Sequence, residues 1–253
     1  EKSLDFYDKA ISMVPEFREA LLGKAICLSY MERHEEAIEV CNEILRMGGY
    51  YLGDTCYWLA WNQNELERLD EAWESVEKSK TYFVGYSQVF ALAGVIAYKK
   101  GEKEVAETNF KEALKLDPNN CEAAFYLGKI FGERQEWARS GEYYERAALC
   151  HYGKELALER KIAEIEGSDF SEERKQKMIA KKKVQLKNTI LTKATFFYNA
   201  AAGYFNAEMD DQALKLAEQA TSHITLKQKA EELILKIKER KDGKRNLFLE
   251  RSI

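Results

Sequence analysis

The chain has few residues that interrupt helices and no long apolar run. Only two prolines occur among 253 residues, of which 45% are hydrophobic and 32% are charged. This composition favours a long helical array over an all-β protein, which usually carries more turn residues. The longest stretch free of polar and charged side chains, Val89 to Tyr98, is about half of the roughly 20 residues that a membrane-spanning helix requires. We therefore expect no membrane span.

Signatures of catalysis are also missing. The three histidines, His34, His151 and His223, have no second histidine or cysteine at ligand spacing, so neither a zinc site nor a Cys-His nucleophile is indicated. No Gly-rich phosphate loop or Gly-x-Ser-x-Gly elbow is present. The sequence predicts a protein without catalytic residues, metal or cofactor, and therefore not an enzyme.

The charge and the cysteines bear on partners and compartment. A net charge of -4 gives the molecule as a whole no electrostatic reason to seek nucleic acid or an anionic membrane. The five cysteines are odd in number, widely spaced and without a Cys-x-x-Cys pair, which favours reduced core thiols and a cytoplasmic location. The first residue is Glu1, so a removed signal sequence or a trimmed start stays open.

A period of 34 residues organises the chain. When the segment that begins at Ser87 is set over the one that begins at Cys121, Gly94 falls on Gly128 and Phe110 falls on Tyr144. A small residue lets the second helix of a pair approach closely, and the aromatic ring fills the gap between successive pairs. The spacing therefore predicts stacked pairs of antiparallel helices.

The pattern resembles the tetratricopeptide repeat, and Pro118 after the second helix, followed by Asn119 and Asn120 as turn and cap residues, adds to the likeness. The resemblance implies an all-α, right-handed α-solenoid whose concave face binds other proteins. Carried along the chain, the register predicts an N-terminal block at 1–154. It comprises a half repeat at 1–17 and whole repeats at 18–51, 53–86, 87–120 and 121–154.

The register breaks at 155–193. Helical apolar stripes on both sides of Gly167 to Asp169 predict an inserted helical hairpin there, with Ser171 as the N-cap of its second helix. This second helix is basic, since Arg174 to Lys193 contain eight basic residues and no acidic one. A further repeat at 194–227 and an amphipathic capping helix complete a C-terminal block at 194–241, and 242–253 is expected to be a short tail.

The first helices of the repeats are expected to line a partner-binding groove. Aromatic and aliphatic side chains in the middle of such a face, with a polar rim, are typical of peptide or helix docking, although Tyr57 and Phe125 fit the core between repeats equally well. The predicted groove residues are Leu22, Ile26, Tyr57, Trp61, Ala91, Val95, Tyr98, Phe125 and Lys129.

The function predicted from these features is that of an adaptor or scaffold that binds an apolar peptide or an amphipathic helix of another protein. Family members that hold the C-terminal carboxylate of heat-shock chaperones carry Lys and Asn where this chain has Leu22 and Ile26. The ligand should therefore be more apolar.

Two alternatives stay open. The half repeat at 1–17 lacks a first helix, so it could stack on a second copy in a self-assembling structural protein. The basic helix could instead bind an acidic partner or nucleic acid, although a solvated face is the commoner use of such a run. Its candidate residues are Arg174, Lys175, Lys181, Lys182, Lys183 and Lys187.

Overall fold

The computed structural model describes residues 2–83 and 85–250, which form α-helices joined by short turns and contain no strand. The chain divides into two compact units, residues 1–118 and 119–253. The helices of the first unit are α1 (Lys2–Met13), α2 (Arg18–Tyr30), α3 (His34–Met47), α4 (Leu52–Glu65), α5 (Leu69–Tyr82), α6 (Ser87–Lys99) and α7 (Lys103–Leu116). Those of the second unit are α8 (Cys121–Glu133), α9 (Trp137–Glu166), α10 (Glu172–Asn206), α11 (Asp210–Ala220) and α12 (Ile224–Glu250).

Successive helices of the first unit pack as pairs. Helix α2 packs on α3, α4 on α5 and α6 on α7, and the first helices of these pairs also meet, because α4 contacts both α2 and α6. Apolar cores form between these helices in the part of the chain that the structure describes. One lies among α2, α3 and α4 around Leu28 and Ile44, and another lies among α4, α5 and α6 around Val76 and Ile96.

The turn within each pair uses the same backbone conformation. A residue with positive φ recurs at Glu32 (60°), Glu67 (57°), Gly101 (84°), Gln135 (60°) and Glu208 (60°). In each case the next amide donates to the carbonyl five residues back, as in Arg33 N to Leu28 O at 3.0 Å. This is the hydrogen bond of a Schellman-type helix end, which favours glycine at the left-handed position. Gly101 alone among the five follows that preference.

The predicted close approach of paired helices is present. A methyl group added at Gly94 would lie 2.6 Å from two ring carbons of Phe110, and one at Gly128 would lie 3.0 Å from the ring of Tyr144. Phe110 is fully buried. The glycines therefore allow the aromatic rings of α7 and α9 to lie directly against α6 and α8.

The predicted hairpin at 155–193 continues two repeat helices. Helix α9 runs for 30 residues and α10 for 35, so the predicted boundaries at 154/155 and 193/194 fall inside unbroken helices. The two helices pack against each other, and Lys193 forms an ion pair with Glu155 in which both side chains are largely buried. The segment is thus an extension of the repeat pair and not a separate domain.

The two ends of the chain differ from the prediction in one respect. Helix α12 continues to Glu250, so the helix of the predicted cap extends into the predicted tail at 242–253. Residues 251–253 lie outside the described part, as does residue 1 of the half repeat. Helix α1 buries none of its residues and exposes Phe6 and Met13. Self-association through this helix stays a prediction.

Candidate protein-binding surface

The structure brings together the predicted groove residues of the first unit. They come from α2, α4 and α6, which lie side by side. Leu22, Ala91 and Val95 are buried and belong to the supporting core. Partly exposed side chains that a partner could reach are Ile26, Tyr57, Trp61 and Tyr98.

A cluster of aromatic rings dominates this surface. Trp58 is at its centre, with its ring centroid 5.6 Å from Tyr30, 5.6 Å from Tyr57 and 5.7 Å from Trp61. All three pairs have edge-to-face geometry, which aromatic pairs favour over a direct sandwich. Tyr30 remains 73% exposed. We call Tyr30, Tyr57, Trp58 and Trp61 the aromatic face.

Sequence reasoning missed Trp58. The repeat register assigned Tyr57 and Trp61 to the groove, and Trp58 occupies a position between them that the register did not assign to it. A signal was available, because Asp54, Trp58 and Trp61 follow helical spacing in α4 and so share one side of the helix.

Buried polar side chains hold the aromatic face in place. The amide of Asn62 donates to the Ser29 hydroxyl at 2.8 Å and to the Trp58 carbonyl at 2.7 Å. Since the nitrogen of this amide is the donor, its oxygen accepts from His34 Nδ1 at 2.9 Å. Asn62 and Ser29 are nearly inaccessible to solvent. Satisfied networks of this kind fix one arrangement of neighbouring helices, here α2 against α4.

The two predicted groove residues of the second unit lie on α8. Phe125 stacks on Phe196 of α10, with centroids 5.2 Å apart and planes 24° apart, and it also contacts Tyr144. Its ring therefore takes part in packing between α8, α9 and α10. Lys129 is partly exposed.

The predicted basic residues differ in their surroundings. Arg174 lies over the ring of Phe170 at 4.1 Å, Lys175 pairs with Glu172 at 3.1 Å, and Lys182 donates to Gln185 at 2.9 Å. The remaining lysines of the set are exposed and form no ion pair with any residue that the structure describes; they are Lys181, Lys183 and Lys187. We call these three the lysine face.

The expectation of five reduced thiols is wrong for one pair. Cys121 at the start of α8 and Cys150 in α9 form a disulfide, with Cα atoms 5.6 Å apart. Their separation of 29 residues along the chain hid the pairing, because only the packing of α8 on α9 brings the two ends together. Cysteine usage therefore no longer favours a reducing compartment, since disulfides persist mainly in oxidising ones.

The titratable groups of the interior offer little reactivity. Burial raises the pKa of the Cys41 thiol to about 12, so that it stays protonated at neutral pH and is a poor nucleophile. Burial also lowers the pKa of His151 to about 4. The residues that the structure describes contain no group of three or more His, Cys, Asp or Glu side chains placed to hold a metal ion. None of their helices is long and apolar enough to cross a membrane.

Comparison with known proteins agrees with the repeat architecture. A family model described as tetratricopeptide repeat matches residues 92–152. Anaphase-promoting complex subunit 3 of Schizosaccharomyces pombe is 24% identical over 143 residues, which are 54% of this chain and 20% of that protein. The chain thus spans about a fifth of the length of this relative.

Solved structures give the same result for the fold. YrrB, a TPR protein with an unusual peptide-binding site, superposes with a TM-score of 0.56 at 18% identity, over 92% of this chain and 97% of YrrB. MamA 41-end from Desulfovibrio magneticus RS-1 gives a TM-score of 0.53 at 14% identity, over 59% of this chain and 84% of that one. The predicted all-α repeat fold is confirmed. Residues 92–152 thus match the tetratricopeptide repeat, and the described helices share the fold of these tetratricopeptide-repeat structures.

Proposed function

We propose that the protein is a non-catalytic adaptor that binds an apolar peptide or amphipathic helix of a partner on the aromatic face. The observation that carries the proposal is the ring cluster around Trp58, which lies on the first helices of adjacent repeats and leaves Tyr30 73% exposed. The other three rings are partly exposed, and aromatic surface that stays accessible on a folded domain is typical of a binding site.

The chemistry of the aromatic face suits a docking site. Tryptophan and tyrosine provide large, rigid contact area and dominate binding energy at protein interfaces. The helices that carry the rings also expose acidic side chains, Glu19 at the start of α2 and Glu65 at the end of α4. A partner segment would therefore bury apolar residues on the rings and meet a polar rim at the edge.

The likeness to YrrB adds support of a weaker kind. That protein shares the fold and has a peptide-binding site, and subunit 3 of the anaphase-promoting complex belongs to a protein assembly. At identities below 25% such relatives support protein binding as a class and identify no partner.

Selection of peptides from a random display library on the intact protein tests the proposal. Dissociation constants of the enriched peptides are then measured by fluorescence anisotropy for wild type, Tyr30→Ala and Trp58→Ala. Because truncation of an aromatic anchor typically removes 1–2 kcal/mol of binding free energy, we expect each variant to bind about tenfold more weakly.

The matched control is Tyr50→Ala. Tyr50 is 82% exposed in the turn before α4 and has no part in the ring cluster, so its variant should bind as wild type does. Equal affinity of all four proteins for every enriched peptide would refute the aromatic face. Circular dichroism of each variant checks that the fold is intact.

A second candidate function is binding of an acidic partner or nucleic acid by the lysine face. The observation that favours it is the exposure of three lysines within seven residues of α10 without ion pairs to described residues. Neutralising three phosphates of a single strand would give a slope of about -2 in log K against log salt. We expect Lys181→Ala, Lys183→Ala and Lys187→Ala together to abolish that slope for a single-stranded oligonucleotide and to weaken binding of poly-glutamate. Unchanged binding of both ligands would refute this candidate.

A further inference from the structure

A pocket of about 160 Å³ lies beside the aromatic face, between α4 and the start of α6. Helix α4 contributes Asp54, Tyr57 and Trp58 to its lining, and the remaining lining residues lie at the end of α5 or near the start of α6. The lining residues are Asp54, Tyr57, Trp58, Phe83, Tyr86, Gln88 and Val89.

Aromatic rings form most of this lining. Tyr57 and Trp58 meet edge to face at 5.6 Å, and Phe83 and Tyr86 lie 4.7 Å apart with planes tilted by 39°. The π-face of an aromatic ring is electron-rich and attracts a cation within about 6 Å of its centroid. Several rings around one small space are the arrangement by which proteins bind ammonium and guanidinium groups.

Among the described residues that line the pocket, Asp54 is the one that carries a charge. It follows Leu52 and Gly53 in the first turn of α4, one turn before Tyr57 and Trp58. It forms neither an ion pair nor a side-chain hydrogen bond with any residue that the structure describes. Within the part of the chain that the structure describes, this carboxylate therefore has no cationic partner.

Other rings of the first unit already have such a cation. Lys80 lies over Phe90 with its Nζ 5.1 Å from the ring centroid, and Lys100 lies over Trp73 at 5.8 Å. No cation from the described residues lies over Trp58, Phe83 or Tyr86. The pocket thus combines electron-rich rings and an unpaired carboxylate, and both favour a positive charge supplied by a ligand.

We propose that this pocket binds the cationic side chain, arginine or lysine, of the partner segment that docks on the aromatic face. The inference rests on the proposed function and adds to it a specific requirement for a basic residue. The pocket volume of about 160 Å³ is well above the roughly 10–15 Å³ that one water requires on the same measure, so it admits a group of several heavy atoms such as a guanidinium. Tyr57 and Trp58 belong to both surfaces, so the basic residue would lie next to the apolar anchors of the segment.

Titration of the intact, ¹⁵N-labelled protein with N-acetyl-arginine amide tests the pocket directly. The readout is the indole N–H signal of Trp58 in heteronuclear correlation spectra, assigned through its loss in Trp58→Phe. We expect saturable shifts with the arginine and lysine amides. N-acetyl-citrulline amide, which keeps the shape and loses the charge, should bind about fivefold more weakly, because a cation over aromatic rings contributes about 1 kcal/mol.

Asp54→Asn isolates the carboxylate, and Glu39→Gln is its matched control. Glu39 is exposed on α3 of the same unit, so its variant makes the same change in net charge away from the pocket. Removal of one close opposite charge should weaken the arginine amide about fivefold in Asp54→Asn, while Glu39→Gln binds as wild type does. Equal binding of arginine and citrulline amides, or unchanged binding in Asp54→Asn, would overturn the proposal.

The outcomes separate this inference from the proposed function. If Trp58→Ala weakens the selected peptides while Asp54→Asn binds them as wild type does, the cation pocket is wrong and the aromatic face stands. If the arginine amide binds in an Asp54-dependent manner while Tyr30→Ala and Trp58→Ala both leave the affinity for every enriched peptide unchanged, the aromatic face is refuted and the cation specificity of the pocket stands.

Discussion

Replacement of Gly94 by alanine tests the packing on which the repeat depends. The added methyl group would lie 2.6 Å from two carbons of the Phe110 ring, where ordinary contacts are at least 3.4 Å. Phe110 is fully buried, so its ring cannot turn outward into solvent without losing that burial. The substitution therefore forces α6 and α7 apart or strains the ring.

Two opposing effects determine how much Gly94→Ala changes the free energy of unfolding. Overpacking of a filled core destabilises by about 1–3 kcal/mol, and the complete burial of Phe110 places this site at the upper end. Alanine favours the helical conformation over glycine by about 1 kcal/mol. The net expectation for Gly94→Ala is a loss of about 2 kcal/mol in the free energy of unfolding.

Denaturant titration followed by far-ultraviolet circular dichroism measures the effect. Gly153 lies in α9 with nothing within 4 Å of an added methyl, so Gly153→Ala should gain about 1 kcal/mol from helix propensity alone. In a Phe110→Leu background the ring is gone, and Gly94→Ala should become neutral or stabilising. If Gly94→Ala stabilises the wild-type background as Gly153→Ala does, the proposed contact between Gly94 and Phe110 is refuted.

Further predictions concern the disulfide, an acid-sensitive contact and a strained turn. Cys121 and Cys150 are 29 residues apart. From the entropy of closing a loop of this length, we expect reduction of the disulfide, or replacement of both cysteines by serine, to lower the free energy of unfolding by about 3–4 kcal/mol. Identical denaturation midpoints with and without reductant would contradict this. Burial alone would raise the pKa of Asp210, but hydrogen bonds from Arg240 and Lys244 hold that pKa below its ordinary value. Because the pKa is lower in the folded state, these hydrogen bonds stabilise the fold above a pH of about 4, and this stabilisation is lost as pH falls through the folded pKa. Asp210→Asn should therefore have a lower free energy of unfolding than wild type at neutral pH. A stability difference between the two proteins that persists undiminished at the lowest pH would exclude this dependence. Glu32 has φ of 60° and an exposed side chain, so Glu32→Gly should raise the free energy of unfolding by about 1 kcal/mol; a fall in the thermal midpoint would count against the strain.

The helix pairs could be predicted because their spacing follows from local side-chain size. Gly94 and Gly128 recur one period apart, and each meets the aromatic ring that the register assigns to it, Phe110 or Tyr144. Where the 34-residue period breaks off, the sequence predicts the ends of the helices less well. The residues around Lys154 contain no helix-breaking proline, so the end of a repeat motif and the end of a helix do not coincide there, and α9 continues past it.

The surface was harder to predict than the core. Leu22 and Val95 occupy predicted groove rows but are buried, because the degree of exposure depends on how closely α2, α4 and α6 approach one another. Trp58 was missed because the repeat register compares equivalent positions of successive repeats. It does not show which side chains of neighbouring helices meet, as Trp58 of α4 meets Tyr30 of α2. The disulfide between Cys121 and Cys150 depends on tertiary packing, which residue spacing alone does not contain.

The continuity of α10 links the lysine face to the packed aromatic rings of its second half. One helix carries both Lys187 and Phe196 without interruption, so their relative direction is set by the rotation of about 100° that each helical residue contributes. A single residue inserted between them would rotate the lysine face by about 100° around the helix axis, relative to the packed aromatic rings of the second half of α10. A series of variants with one, two or three inserted residues would thus change the direction of the lysine face, relative to the packed rings, in steps of about 100°.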